Sequence, residues 1–310
     1  MQRKLLSICI PTYNRDWCIK KQIERLWECS AEIFNMIEII ISDNYSTDQT
    51  QKIVKEALDN GFPCTYIRNS TNIGMDGNFA QCFQLANGKY IWLLGDDDFI
   101  IISGLIELLT FLNKSVEDYG IIHYIPNNSF ENINIYTDRE KFLIDISYNM
   151  TFISGCIVNA SYVSTVNFKH YDGTIISQVP LIMNSILGSS KNVLWSNIKL
   201  LDPANDYKNN GGYNFFNVFV VNLLSIWNEY VNEQRVTQCL YNQLKRNLYS
   251  FIFEYTKKII IQRELGNIRT DNALRILIKY YGKEWYFWWM WFKYIVISFM
   301  HLTIKVFNKK

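Results

Sequence analysis

Four short apolar runs, LLSICI (5–10), IEIIISD (37–43), CTYIRN (64–69) and KYIWLLG (89–95), recur along the first third of the chain. Between them apolar residues fall at helical spacing: Ile19, Ile23 and Leu26; then Ile53, Val54, Ala57 and Leu58; then Phe79, Phe83 and Ala86, with Asn87-Gly88 expected as a C-terminal cap. This β-α-β-α-β-α-β rhythm constrains the fold more than any other feature. Strands alternating with helices predict an α/β, Rossmann-like, mainly parallel sheet flanked by helices. The near-continuous apolar character of IEIII and YIWLL agrees with burial on both faces. Farther along, the pattern predicts a helix over 103–113, a strand at YGIIHYI (119–125), Asn-rich loops around 127–134, a strand at FISGCIVN (152–159), a helix at QVPLIMNSIL (178–187) and helices across 211–264. The expected division is a domain over 1–210 and a helical C-terminal region over 211–310.

The 48 aromatic residues (9 Trp, 20 Tyr, 19 Phe) can fill a large core, so disorder is not expected. Seven cysteines without a CxxC pair argue against a disulfide framework or a zinc site and favour the cytosol. The apolar stretch in MQRKLLSICIPTYN is too short for a signal-peptide core, so export is not expected. Charge is divided unevenly. Residues 235–310 hold 14 Lys and Arg against 4 Asp and Glu, whereas residues 1–234 hold 17 against 25. The basic end is a candidate for contact with an anionic surface.

Open sheets of this type bind ligands at the carboxyl ends of their strands. PTYNR (11–15), SDNYSTD (42–48), Arg68 with NIG (72–74), and GDDD (95–98) all fall there. The three carboxylates of WLLGDDDF (92–99) repel one another, and a strand end offers no compensating partial charge. A hard divalent cation, Mg²⁺ or Mn²⁺, is therefore expected on Asp96 or Asp98, with a neighbouring carboxylate accepting from a ribose. Asp43 can accept from the N–H edge of a pyrimidine, Tyr13 can lie against the base, and the amides after Pro11 offer further contacts. The same residues also suit purely structural roles: an Asx turn at Asp43-Asn44, a helix cap from Ser46, Thr47 or Asp48, and a solvated acidic turn at 96–98. GxGxxG and GxxxxGK[ST] are absent, and three histidines provide no convincing nucleophile-base triad.

ICIPTYNR, IIISDNYSTD, NIGMDGN and WLLGDDD, in this order and spacing, resemble the family 2 glycosyltransferases of the GT-A fold, in particular abequosyltransferase-like enzymes of bacterial O-antigen assembly. The likeness covers roughly residues 5–200. It implies inverting transfer of a sugar from a nucleoside-diphosphate sugar, assisted by Mg²⁺ or Mn²⁺. It carries nucleotide-sugar binding onto Pro11, Thr12, Tyr13, Asp43 and Arg68, with Asp96, Asp97 and Asp98 as the acidic metal motif. Many members place a basic carboxylate at the start of a later helix, where this chain has Gln178 in HYDGTIISQVPLIM. An amide cannot be a general base. Asp172 is then the expected base, His170 the second candidate, and Gln178 a hydrogen-bonding contact to the acceptor. A nucleotidyltransferase and a noncatalytic nucleotide-sugar-binding scaffold are the alternatives; nucleic acid is not an expected partner.

Residues 285–307, WYFWWMWFKYIVISFMHLTIKVF, approach the length of a membrane span, yet Lys293 falls well inside them and Trp285, Trp288, Trp289 and Trp291 cluster at one end. The expectation is a basic aromatic tail, about 283–310, lying in the cytoplasmic membrane surface, where a polyprenyl-diphosphate-linked acceptor would be met. A core or interface helix is the competing reading.

Overall fold

The computed structural model describes residues 3–125, 133–196, 198–203, 212–258 and 269–307, with side chains as far as 296. The chain divides into two compact units, Met1–Asp206 and Tyr207–Lys310. The first begins β1 (Leu6–Thr12), α1 (Asp16–Trp27), α2 (Ala31–Met36), β2 (Ile37–Asp43), α3 (Thr50–Asp59), β3 (Thr65–Arg68), α4 (Gly74–Leu85) and β4 (Tyr90–Leu93). It continues β5 (Asp98–Ile100), α5 (Ile102–Lys114), β6 (Ile121–Ile125), β7 (Ile133–Tyr136), α6 (Arg139–Ile146), β8 (Cys156–Asn159), α7 (Val179–Gly188), β9 (Asn192–Ser196) and β10 (Leu201–Pro203).

Eight strands form one sheet in the order β3-β2-β1-β4-β8-β6-β9-β7, and β10 pairs with β5 apart from it. Pairings through β3-β2-β1-β4 and between β6 and β9 are parallel. Those of β8 with β4 and β6, and of β7 with β9, are antiparallel. The repeating β-α rhythm thus predicts the parallel run β1 to β4; past it, β6 and β8 match the runs expected at 119–125 and 152–159, but β7, β9 and the antiparallel pairings do not follow from that rhythm. Alternate residues Leu6, Ile8 and Ile10, Ile37, Ile39 and Ile41, and Tyr90 and Trp92 enter one core layer. They pack there with the helical stripes Ile19, Ile23 and Leu26 of α1 and Leu105, Leu108, Leu109 and Leu112 of α5. The opposite face meets α4, where the Cys9 thiol donates to the Cys82 carbonyl at 3.6 Å.

Three local expectations are corrected. Of FISGCIVN only Cys156–Asn159 is strand, because Ile153–Gly155 closes a 3₁₀ turn that carries Ser154 to the sheet edge. The helix before Asn87-Gly88 ends on an extended Ala86 without a left-handed cap. Gly88 instead permits close approach: a Cβ there would lie 2.5 Å from Ser7 Oγ, which accepts the Gly88 N–H at 2.7 Å. The Asn-rich stretch lies largely outside the described residues, but Ile133 and Asn134 belong to β7.

His123, fully buried on β6, lies with Nδ1 3.2 Å from Cys156 Sγ. Burial pushes its pKa down from 6.5 to about 3. The unfolded chain therefore takes up a proton that the folded chain refuses, and stability present above the unfolded value is lost as pH falls from 6.5 toward 3. Lowering pH from 7.5 to 5.5 should cost the wild type about 1.4 kcal/mol more than His123→Leu, read as the difference in urea-unfolding free energy.

The second unit is helical, as its periodicity predicts: a π-helical turn (Asn217–Asn222) leads into α8 (Leu223–Asn232), followed by α9 (Gln238–Thr256), α10 (Ala273–Tyr281) and α11 (Trp285–Phe307). Thr237 caps α9 by accepting from Leu240 N–H at 3.2 Å. Tyr249 of α9 lies 4.7 Å from Tyr281, 5.6 Å from Tyr286 and 5.5 Å from Phe287, ring to ring, so one face of α11 is packed. Among the described residues no helix is long and apolar enough to cross a membrane.

Candidate functional site

Parallel register sets Thr12, Asp43 and Arg68 side by side at the carboxyl ends of β1, β2 and β3. The strand order turns at β1 and β4, the place where such sheets open a crevice. There Thr12 Oγ1 donates to Asp96 Oδ2 at 2.7 Å, which joins the end of β1 to the acidic turn after β4. Pro11 lies beyond the β4 ladder, which ends at Cys9, so a residue without an N–H is accommodated.

Asp96, Asp97 and Asp98 fold back over Gly95, with the Asp98 N–H donating to the Gly95 carbonyl at 3.1 Å. A Cβ added at Gly95 would lie 3.1 Å from Asp98 Oδ2 and 3.2 Å from both Asp97 Oδ1 and Ser154 Oγ. A side chain there would push the three side-chain ends apart by a few tenths of an ångström, so glycine lets the turn close tightly. Compensating charge comes from within the chain: the Arg15 guanidinium lies 2.6 Å from Asp97 Oδ2 and 3.3 Å from Asp96 Oδ1. Sequence reading looked outside the chain for that charge. Arg15 stood in the quoted PTYNR, but only the topology shows that the loop after β1 lies beside the loop after β4. Burial raises the Asp96 pKa to about 7 despite Arg15 and the Thr12 hydroxyl. It raises Asp98 to about 6, opposed by a hydrogen bond to Ser154 and reinforced by Asp97. When all three carboxylates are ionised, the one arginine leaves a charge of −2.

Asp43 is fully buried. Its Oδ1 accepts from Ser46 N–H at 2.8 Å, and its Oδ2 accepts from the Tyr66 hydroxyl at 2.6 Å and lies 3.6 Å from Arg68 Nε. The structural role foreseen for this aspartate is thus filled. Arg68 stacks 4.6 Å from the ring of Tyr45, which is left-handed at φ 71° and partly exposed. Tyr13 is also exposed, on the loop whose Asn14 Oδ1 accepts from Thr47 N–H at 2.7 Å. Tyr45 and Tyr13 therefore face outward from two loops tied together by that bond. Neither Tyr45 nor Tyr66 was singled out in the sequence, which offers no cue to a cross-strand partner.

On the other side of the acidic turn, Ser154 Oγ accepts from Gly95 N–H at 2.8 Å. Gln178, at the N-cap of α7, donates through Nε2 to the Thr151 carbonyl at 3.2 Å, so the segment 151–154 joins it to the carboxylates. Gln178 Oε1 is buried with no hydrogen-bond partner among the described residues. Asp172 and His170 are exposed on the stretch preceding α7, and no described hydrogen bond connects them to the acidic turn. That stretch is held by an acid the sequence reading did not identify. Asp76, 4% exposed on α4, accepts from Ile175 N–H at 2.8 Å and Ser177 N–H at 3.1 Å. Ile175 is held at φ 67°, costly for a β-branched residue. Asp76→Ala should release both amides, so that amide hydrogen exchange at 175–177 accelerates by about tenfold or more, equivalent to the loss of about 1.4 kcal/mol of protection.

Among the described residues no three His, Cys, Asp or Glu side chains are grouped to hold a metal ion. The donor chemistry of Asp96 and Asp98 nonetheless suits a hard divalent cation: all-oxygen ligands, desolvated, in a cluster whose residual charge matches the ion. The remaining ligands would have to come from a substrate's oxygens and from water.

A family model described as glycosyl transferase family 2 matches residues 7–163. The abequosyltransferase RfbV of Salmonella typhimurium is 44% identical over 119 residues, 37% of this chain and 34% of that protein. A GalNAc(5)-diNAcBac-PP-undecaprenol beta-1,3-glucosyltransferase of Campylobacter jejuni is 30% identical over 116 residues, 37% of this chain and 36% of that protein. The matches therefore span about a third of the length of these curated relatives. Among solved structures, S. aureus TarS (residues 1–349) superposes with a TM-score of 0.58 at 16% identity, covering 82% of this chain and 73% of TarS. The mannosyltransferase PcManGT of Pyrobaculum calidifontis, in complex with GDP-Man and Mn²⁺, gives 0.52 at 11% identity, covering 79% and 70%. These two likenesses establish a shared fold.

Proposed function

The chain belongs to glycosyl transferase family 2, and from that premise we propose that it transfers a sugar, with inversion, from a nucleoside-diphosphate sugar to a saccharide carried on a polyprenyl diphosphate. The setting proposed is synthesis of a bacterial surface polysaccharide such as O-antigen, at the cytoplasmic face of the inner membrane. The observation that carries this reading is the crevice between β1 and β4, where Thr12, Arg15 and three aspartates from two loops meet. The named acceptor of the C. jejuni relative, an undecaprenol diphosphate, supports the lipid-linked class.

In this reading Pro11, Thr12 and Tyr13 receive the nucleotide base. Asp43 acts from beneath by fixing Arg68 and the 44–48 turn, while Asp96 and Asp97 face the ribose and diphosphate. Asp96 and Asp98 would hold Mg²⁺ or Mn²⁺, which when bound neutralises charge on the leaving diphosphate. Arg15, beside the same carboxylates, adds a fixed cation at that end of the sugar–phosphate bond. An acceptor hydroxyl attacks the anomeric carbon from the opposite face as the bond to the diphosphate oxygen breaks. Its proton passes to Asp172, or to His170. Gln178, whose Oε1 is buried without a hydrogen-bond partner among the described residues, would turn that oxygen to accept from the acceptor sugar and orient it.

The test is release of nucleoside diphosphate from a panel of nucleotide sugars by the full chain, with membrane-extracted lipid-linked saccharides as acceptor, with and without EDTA. Turnover that EDTA stops supports the transferase. Nucleotide binding without turnover on any acceptor overturns it in favour of a binding scaffold, the outcome that an amide at position 178 would favour.

A further inference from the structure

The first twelve residues of α11 divide cleanly into two faces. Tyr286 and Phe287 are buried, and Trp291 lies 5.0 Å from Phe253 of α9. Trp285, Trp288, Trp289, Phe292, Ile295 and Val296 are between 40% and 65% exposed. At ~100° per residue those six fall on one arc of about 120°, wide for an apolar stripe and continuous along three turns. Trp289 and Phe292 stack on each other at 6.1 Å on the outside of the molecule. An outward stripe of this size is unusual for a soluble surface.

Charge identifies its occupant. Arg275, Lys279 and Lys283 are exposed just before the stripe and Lys293 is exposed within the helix. Residues 235–310 carry 14 basic against 4 acidic side chains. A second copy of this chain would bring the same surplus against itself and be repelled. An anionic bilayer complements it, and tryptophan is the side chain that settles at the boundary between lipid and water.

We infer that the exposed face of α11 docks flat on an anionic lipid surface, with Trp288, Trp289 and Phe292 at the acyl boundary and the flanking lysines and arginine among headgroups. This deepens the proposed acceptor chemistry by naming which residues bring the enzyme to a lipid carrier. It also decides between the two readings of the tail: α11 is a packed helix by one face and a lipid-facing helix by the other.

The experiment is co-sedimentation of the full chain with phosphatidylcholine vesicles and with vesicles also containing phosphatidylglycerol. Wild-type protein should partition at least about tenfold more strongly onto the anionic vesicles, and salt should weaken it. Trp288→Glu combined with Phe292→Glu should lower that partitioning by about tenfold or more, because two inserted side chains become charged. The melting temperature should fall by no more than the loss of one exposed hydrogen bond allows, since Trp288 gives up its bond to the Gly282 carbonyl at 2.9 Å and Phe292 lies on the exposed face. Lys279→Glu with Lys283→Glu should remove the preference for anionic lipid while leaving residual binding. Failure to bind either vesicle, equal binding by the double glutamate variant, or a solution dimer that this variant dissolves would each overturn the inference. No nucleotide sugar is present, so failure here leaves the transferase reading standing, and failure of the transferase assay leaves this one.

Discussion

Asp98→Asn is expected to lower sugar transfer by about a hundredfold to a thousandfold, the loss typical of removing one group that stabilises charge in a transition state. Any stimulation of the wild type by Mn²⁺ should be lost with it. Folding should not suffer, and the thermal midpoint should equal or exceed that of the wild type. Asp98 is raised to about 6 by burial with Asp97 nearby, so its ionised form is held against desolvation and repulsion. An amide keeps a partner for Ser154 and removes that conflict. Paired thermal melts and initial rates separate the two effects. Unchanged transfer would remove Asp98 from the proposed metal site, and a large fall in midpoint would make it a structural residue.

Asp43→Ala is expected to do the reverse and damage the fold first. Three groups are affected together: the Ser46 amide at 2.8 Å and the Tyr66 hydroxyl at 2.6 Å lose their hydrogen-bond acceptor, and Arg68, which keeps its bond to the Ser46 carbonyl, loses the carboxylate 3.6 Å from its Nε. At ~1 kcal/mol for each group affected, the cost is about 3 kcal/mol, read as a fall in the urea midpoint at constant slope. Asp43→Asn should recover part of it, because one oxygen remains and the amide can donate only where an acceptor faces it. Nucleoside-diphosphate affinity, measured by calorimetry on the folded fraction, should fall in both variants as Arg68 and the Tyr45 turn lose their support. A variant as stable as the wild type would mean that the buried carboxylate is not the hub the geometry makes it.

Much of the candidate site was legible because it sits at the ends of strands that announce themselves. Thr12, Arg68 and the aspartates after β4 are each the first polar residues after an apolar run, Asp43 follows Ser42 at the end of another, and parallel register brings Thr12, Asp43 and Arg68 into line. Gln178 was legible as a departure from the family pattern, and the structure gives it a buried oxygen with no hydrogen-bond partner among the described residues. Arg15 and Asp76 were not. Each acts on a partner 81 or more positions away, Asp76 on backbone amides of a loop with no regular pattern, and no local periodicity encodes such a contact. In the sheet's second half β6 and β8 match runs expected as strands, while β7 and β9 were not expected, for a related reason. Ile133–Tyr136 and Asn192–Ser196 are only four and five residues long, and they pair with each other across α6, β8 and α7, so no local pattern marks their pairing.

The order of residues by itself determined where polar chemistry can emerge, since alternating apolar runs must be buried and the first polar groups after them must lie at the sheet edge. Only the tertiary structure decided which of those groups neutralise one another, which hold backbone and which remain open to a substrate. Charge and hydrogen bonding act across a few ångströms of space, and the distance between two side chains is a property of the folded sheet, not of their separation along the chain.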